Sequence, residues 1–454
     1  MCLRLCMCLC GRRSLMNAKK VGSKTMVFRG QGEFKGHRFH LRIDSEQKGV
    51  LIIDASRLIF LNGTAVDYAA HILAGDDAVK TYKALGKKYR KLKKQEVTDD
   101  YNSVKSQLVN YIAGNTDIIE TVGQESPLMG ADELPSPYRM DIALTYRCQN
   151  RCGHCYNETK EKPETDVETW KKTLEWLWGV GIPHIVFTGG EPTLYEGLKK
   201  LISKSEELGQ ITGLITNGRN LARPDYLKEL VNTGLDHVQI TMLSHLESQH
   251  DELAGGKGAW KETVAGIKAA LAEDLYVSTN TTIMKGTLAD ITETMEFLIF
   301  LGVKNIAFNA LIRSGQGKST EGITFDELAA ALEKLRRIAA EHDANLIWYA
   351  PTPYCEFNPV NYGLGIKQCT ACSINMAMEP DGTVIPCQSY YQPLGKALGD
   401  WDKIWNNELC KRIRERKYMP EKCKNCGMWQ LCGGGCPLSI EHGDYLCGDR
   451  FSNP

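Results

Sequence analysis

The sequence predicts an α/β protein built on a partial (βα)6 TIM-like barrel, with a winged-helix-like α+β domain before it and a cysteine-rich domain after it. Three observations carry this reading. Strand-like and helix-like hydrophobic periodicity alternate six times from Tyr138 onward, which is the pattern of a parallel sheet with outer helices. A few short strands and then three helices precede that stretch. The 17 cysteines are grouped, mostly in segments with little periodicity of their own.

A chain of 454 residues suggests about three domains. The expected division is a start segment at 1–23, a winged-helix-like α+β domain at 24–121, a linker at 122–137, the barrel at 138–345 and the cysteine-rich domain at 346–454. With 43 % hydrophobic and 24 % charged residues, wholesale disorder is excluded. Fifty-five basic residues balance 55 acidic ones, which argues against a general nucleic-acid binder. No apolar run reaches the length of a membrane span. Many cysteines in a long chain without a secretory signal indicate metal thiolates in a reducing cytoplasm rather than a disulfide framework. Cys2, Cys6, Cys8 and Cys10 crowd the first ten residues. They read as an early start, with Met16 or Met26 as the true one, in preference to a metal or acylation site.

In the first domain, strands are expected at Lys24–Arg29, His37–Ile43, Gly49–Ile53 and Arg57–Leu61. Val66, Ala69, Ala70 and Leu73 form one helix face, and a second helix starts near Asp76 and Asp77. A third carries Val104, Leu108, Tyr111 and Ile112, with Thr98 as a candidate cap and Gly114 as a stop. The run from Lys83 to Lys94 reads as one basic helix, a solvated face or a dock for an acidic peptide. Pro127, Pro135 and Pro137 mark the linker.

Barrel strands are expected at Met140–Leu144, His184–Phe187, Gly213–Thr216, His237–Thr241, Tyr276–Thr282 and Asn305–Asn309. A helix between the first two carries Val167, Trp170, Leu174, Leu177 and Trp178 on one side. A long helix near Phe325–His342 and a strand at Leu346–Tyr349 follow. Parallel strands place functional loops at their C-terminal ends, so chemistry is expected there.

It appears directly after the first strand, as Cys148-x3-Cys152-x2-Cys155. Three thiolates on one loop can hold three irons of a 4Fe–4S cube and leave the fourth open; zinc is the structural alternative. The second strand ends in Gly189-Gly190-Glu191-Pro192, where two glycines permit close backbone approach and Glu191 can accept from an amine. Toward the C-terminus stand Cys369, Cys372, Cys387 in Gly382-x4-Cys387, then Cys423-x2-Cys426-x5-Cys432-x3-Cys436, then Cys447. Eight thiolates suffice for two four-ligand sites, and spacing alone leaves their pairing open.

Residues 138–345 resemble the radical S-adenosylmethionine superfamily, through the CxxxCxxC loop, the GGE segment and the six strand–helix units. The resemblance implies that Cys148, Cys152 and Cys155 bind a catalytic 4Fe–4S cluster. The cofactor's methionine amino and carboxylate groups would chelate the open iron, with Gly189, Gly190 and Glu191 positioning the amino group. Thr216, Asn217, Gln239, Thr241, Asn280 and Arg313 are expected as further S-adenosylmethionine contacts. His154 stands where the family usually has an aromatic residue, and Thr241 where many members have serine. The implied reaction is one-electron reductive cleavage of S-adenosylmethionine to a 5′-deoxyadenosyl radical.

The C-terminal segment resembles the SPASM extension of these enzymes. That likeness implies two auxiliary 4Fe–4S clusters, one on Cys372, Cys387 and Cys436 with Cys369 or Cys355 as further candidates. The other would use Cys423, Cys426, Cys432 and Cys447. Cys410 belongs to no motif and reads as a buried apolar residue.

The stretch Leu51–Ala65, and above all Leu61-Asn62-x-Thr64-Ala65, resembles the peptide-recognition domain used as a chaperone in pyrroloquinoline quinone biosynthesis. It implies a precursor peptide whose leader adds as a strand to a sheet edge. The expected function is modification of a ribosomally made peptide in the cytoplasm, with a ferredoxin or flavodoxin as electron donor and with neither nucleic acid nor membrane as partner. Alternatives are a radical enzyme of haem or other cofactor biosynthesis, a sulfatase-type protein maturase, and a non-catalytic metal-stabilised adaptor.

Overall fold

The computed structural model describes residues 24–43, 48–54, 57–112, 134–158 and 161–441. Two compact units divide the chain between Ser136 and Pro137.

The N-terminal unit opens with β1 (Lys24–Arg29), β2 (Arg38–Ile43), β3 (Gly49–Ile53) and β4 (Arg57–Leu61), antiparallel neighbours in that order. Helices α1 (Gly63–Leu73), α2 (Ala78–Lys88) and α3 (Lys94–Ile112) follow. The step from β4 into α1 is made by Asn62, whose side-chain oxygen accepts from Thr64 N at 3.1 Å and Ala65 N at 2.9 Å. This cap satisfies orphan amides of the first turn and aims the apolar face of α1 at the sheet. Val66, Ala69 and Leu73 are buried there in one core with Leu41, Leu51, Ile53, Val104 and Leu108.

Two expectations fail in this unit. Thr98 lies inside α3, its hydroxyl donating to Lys94 O at 2.9 Å, and caps nothing. The basic run is not one helix: α2 ends at Lys88, Tyr89 is extended, and Lys91 takes φ 63°. Lysines and arginines spaced three and four apart along that run repel, which opposes a continuous helix. The run is also partly neutralised, Lys88 pairing with Asp67 and Lys93 with Glu96, each at 2.8 Å. Gly114 and most of the linker lie outside the described residues.

In the second unit β5 (Arg139–Thr145), β6 (His184–Gly189), β7 (Ile211–Thr216), β8 (His237–Thr241), β9 (Tyr276–Ile283), β10 (Asn305–Ala310) and β11 (Asn345–Trp348) pair in parallel, each with the next. Helices such as Val167–Gly179, Leu198–Leu208 and Ala259–Ala272 connect them. The first starts at Asp166, which accepts from the amides of Glu168 and Thr169, and it buries Trp170, Leu174 and Leu177. The six expected strands are β5 to β10, and β11 makes a seventh.

The cysteine-rich segment also contributes strands. β12 (Asn375–Met378) joins β5 in parallel, and β13 (Thr383–Ile385) and β14 (Gly395–Lys396) continue antiparallel, for ten strands in one sheet. Side chains alternate along β5: Met140, Ile142 and Leu144 are fully buried on one face. Arg139 and Asp141 face the other way, into a cavity. Among the described residues no helix is long and apolar enough to cross a membrane.

Candidate active site

A cavity of about 430 Å³ opens at the C-terminal ends of the parallel strands, and all three cysteines of the β5 loop line it. Backbone bonds from several segments hold that loop. Gly190 N donates to Thr145 O at 2.8 Å, Glu191 N to Arg147 O at 2.9 Å, and Arg151 N to Ala254 O at 2.8 Å. The glycines of the β6 mouth are required by contact. A Cβ on Gly189, whose φ is 135°, would stand 2.1 Å from Thr145 O, and one on Gly190 would stand 2.5 Å from Arg147 O. Asn150 N and Asn217 Nδ2 point toward Cys148 Sγ, at 3.4 and 3.9 Å. Burial still pushes the Cys148 thiol up, and a bound cation is what would restore the thiolate there. Three soft thiolates on one loop at the cavity wall are a donor set that fits three irons of a 4Fe–4S cluster.

Gly189, Gly190, Thr216, Asn217, Gln239, Thr241, Asn280 and Arg313 all line this cavity, as does His154. Glu191 is fully buried, and its carboxylate is already in use. Oε1 accepts from Thr193 N, Thr193 Oγ1 and Thr216 Oγ1, and Oε2 from Asn217 N at 2.8 Å. Burial raises its pKa against the pull of these donors. Its place is therefore behind the site, tying the β6 mouth to the β7 mouth. Arg313 donates to Gly317 O and Thr320 O at 3.4 and 2.7 Å. Asn280 Oδ1 and His154 Nδ1 are buried without a hydrogen-bond partner among the described residues. Desolvation lowers the His154 pKa to about 4, so the ring is neutral.

The C-terminal cysteines separate into two groups. Cys369, Cys387 and Cys436 line the same cavity as the β5 loop. Burial drives all three thiols up, Cys387 to about 12, and the nearby sulfurs add to the rise on Cys369 and Cys387. Cys423, Cys426 and Cys432 form the second group, with Cys432 Sγ accepting from Tyr354 N at 3.2 Å and Gly434 N at 3.4 Å. Cys447 lies outside the described residues. The structure does not bring Cys372 into the first group. It is fully buried, takes φ 56°, and its sulfur stands 2.6 Å from that of Cys410. Cys355 does not line the cavity either; its neighbour Tyr354 contacts the second group.

Residues outside any motif join these parts. Tyr156, beside Cys155, donates to Gln388 Oε1 at 2.7 Å, and Gln388, beside Cys387, donates to Asp141 Oδ2 at 2.6 Å. Tyr391 donates to Asn157 Oδ1, and Asn157 Nδ2 to Gly189 O, both at 3.0 Å. Tyr156 and Gln388 are marked in the sequence only by standing next to a motif cysteine, and Asn157 and Tyr391 by no signal beyond lying a few residues from one. The inward alternation of β5 would have marked Arg139 and Asp141.

Two family models match this chain: the radical SAM superfamily over residues 142–298, and the SPASM iron–sulfur cluster-binding domain over 369–427. Among curated proteins it is similar to the PqqA peptide cyclase of Ruegeria pomeroyi, 28 % identical over 69 % of this chain and 85 % of that protein. The PqqA peptide cyclase of Gluconobacter oxydans is 27 % identical over 67 % of this chain and 86 % of the relative. Among solved structures, Streptococcus suis SuiB bound to precursor peptide SuiA superposes with a TM-score of 0.63 at 17 % identity, covering 92 % of this chain and 97 % of that one. The enzyme anSMEcpe with bound S-adenosylmethionine and a peptide gives 0.53 at 18 % identity, over 66 % of this chain and 89 % of that one. Residues 142–298 thus form a radical S-adenosylmethionine domain and residues 369–427 a SPASM iron–sulfur cluster-binding domain, and together they make the chain an enzyme that works with 4Fe–4S clusters and S-adenosylmethionine.

Proposed function

We propose that the enzyme matures a ribosomally made precursor peptide, abstracting hydrogen from one residue so that a new bond forms within the peptide. The observation that carries this reading is the curated similarity: relatives aligned over two thirds of the chain are named for cyclisation of a peptide. When bound, the cluster and S-adenosylmethionine supply a carbon radical by one-electron cleavage of the sulfonium. Cys148, Cys152 and Cys155 would hold that cluster. Gly189, Gly190, Thr216, Asn217, Gln239, Thr241, Asn280 and Arg313 would orient the cofactor, with Glu191 fixing two of those loops from behind. Cys369, Cys387 and Cys436 would hold one auxiliary cluster, and Cys423, Cys426, Cys432 and Cys447 the other. Walls such as Tyr156 and Leu243 would keep water from the reacting atoms. The leader would add as a strand to an edge of the β1–β4 sheet. A cytoplasmic ferredoxin or flavodoxin would deliver the electron.

The test uses the full chain, reconstituted and immobilised under anoxia, in extract of the native host. Expected is enrichment of one short peptide, displaced by its own N-terminal segment, and conversion of that peptide to a new mass with matching 5′-deoxyadenosine. Turnover of a small molecule or a folded protein instead would replace this reading with cofactor biosynthesis or a sulfatase-type maturase.

A further inference from the structure

Arg139 stands at the start of β5 with about a third of its side chain, 34 %, open to the catalytic cavity. Its Nε donates to Asp141 Oδ1 at 2.5 Å, and Asp141 Oδ2 is held in turn by Gln388 Nε2 at 2.6 Å. Both oxygens of Asp141 are therefore occupied, and the guanidinium is fixed by its Nε edge. Among the described residues neither Nη has a hydrogen-bond partner. A purely structural ion pair would be expected to spend the two-pronged edge on its own carboxylate. Here that edge is left toward the cavity, on a cation that Asp141 keeps charged despite burial. The other titratable groups around it are Tyr156 and Tyr349, and His237, which burial and Arg139 together keep neutral with a pKa of about 3. None supplies a second anion.

We propose that Arg139 forms a carboxylate subsite in the catalytic cavity and that the substrate presents an acidic group to it. The inference rests on the reading that the substrate is a peptide, whose carboxylate is either an Asp or Glu side chain or the free C-terminus. The planar fork accepts a carboxylate through two parallel N–H···O bonds, a geometry lysine cannot reproduce. An anchor of that kind, fixed by Asp141 and Gln388, sets which residue stands beside the cofactor and in what orientation.

Binding to the reconstituted full chain, loaded with S-adenosylmethionine under anoxia, is read by saturation-transfer NMR. The probes are N-acetyl-L-glutamate N-methylamide for a side chain, N-acetyl-L-alanine for a free C-terminus, and N-acetyl-L-glutamine N-methylamide as neutral control. One carboxylate should bind at least about tenfold more tightly than the control, since hydrogen bonds to charged groups carry that much, and which one does identifies the source. Arg139→Gln should erase the preference and Arg139→Lys should keep part of it. Should Arg139→Gln fail to fold with Asp141 left uncompensated, Arg139→Met with Asp141→Leu removes both charges and should also erase it. Equal binding of carboxylate and amide by the wild type, or a preference that survives either neutral variant, overturns the proposal. A carboxylate preference in an enzyme that turns over no peptide would leave the subsite standing and the peptide reading fallen.

Discussion

The cysteine loop after β5 and the cysteines near the C-terminus offer the same thiol side chain, yet they are held in different ways. Bonds from distant segments pin the first loop: Arg151 N to Ala254 O, Thr320 Oγ1 to Gly153 O, and Gln316 N to Cys155 O. It sits at the mouth of a ten-stranded sheet with a buried apolar core. Around Cys423–Cys436 the regular elements are a 3-10 turn at Glu421–Asn425 and a single helical turn at Trp429–Cys432. Three successive glycines, Gly433, Gly434 and Gly435, then take positive φ. Backbone hydrogen bonds there close short turns, and the longer ties are a few bonds from Gln368, Tyr418 and the Tyr354 amide. The difference makes a testable expectation: the β5 loop should keep its fold without metal, whereas the C-terminal segment should lean on metal for its own structure.

The largest effect that tests this difference is on turnover. Replacing Cys148, Cys152 and Cys155 together by Ala should reduce 5′-deoxyadenosine formation to background. The urea midpoint of the barrel should barely move and the auxiliary iron should remain. Retained cleavage of S-adenosylmethionine would refute the assignment of the loop. The complementary experiment strips all iron with a chelator and follows amide hydrogen exchange. Residues 421–436 should lose protection almost completely, while β5–β10 and the β5 loop keep theirs. Equal loss in both places would erase the distinction.

Acid should loosen the pinned loop by a route of its own. His250 lies in the helix Glu247–Ala254, whose last residue accepts from Arg151. It is buried, and its Nδ1 accepts from Leu243 N at 3.3 Å. Desolvation, opposed by Asp251 and reinforced by Arg219, lowers its pKa to about 4. The folded form thus binds fewer protons than the unfolded one, so stability is full above about pH 6.5 and falls as pH drops toward 4. At pH 5 this one group should cost about 2 kcal/mol relative to pH 7. Urea unfolding of wild type and His250→Gln at both pH values measures it, and the variant should lose most of that difference. A smaller effect is expected from Glu191→Gln. An amide cannot accept from all four donors, and losing one charge-assisted bond should raise KM for S-adenosylmethionine about tenfold. With Glu191 behind the site, kcat should change far less; a collapse of kcat would put the carboxylate in direct contact with the cofactor.

What could be read in advance follows the same division. The strands β5–β10 were legible because apolar periodicity is local and each strand is covered by a helix whose sequence repeats the signal. The three cysteines that meet at the cavity were legible because all lie within eight residues of one loop. Strands β12–β14 were not, since short segments such as Thr383–Ile385 are organised by pairing across the sheet edge and not by their own pattern. The break after Lys88 is hidden in the sequence because charge repulsion along the run competes with good helix formers, and Tyr89 and Lys91 resolve it locally. The roles of Arg139, Asp141 and Gln388 depend on contacts across up to 247 residues, which no spacing encodes.

The smallest expected effect decides the finest point of the comparison. Cys369 and Cys372 both satisfy the spacing of a first auxiliary ligand, but their side chains take opposite courses. Cys369 joins Cys387 and Cys436 at the cavity, and Cys372 turns inward on Cys410, with Arg414 Nη1 holding its carbonyl at 2.9 Å. Cys372 also takes a left-handed backbone, φ 56°, a conformation uncommon for a residue with a side chain. Cys372→Ala should therefore remove one buried sulfur contact, cost about 1 kcal/mol of stability, and leave iron per chain unchanged. Cys369→Ala should release iron from one auxiliary cluster. Iron and sulfide analysis of the two variants, with the cluster spectrum recorded by Mössbauer spectroscopy, separates the outcomes. If Cys372→Ala loses a cluster and Cys369→Ala does not, Cys372 is the ligand, and the grouping of Cys369 with Cys387 and Cys436 falls.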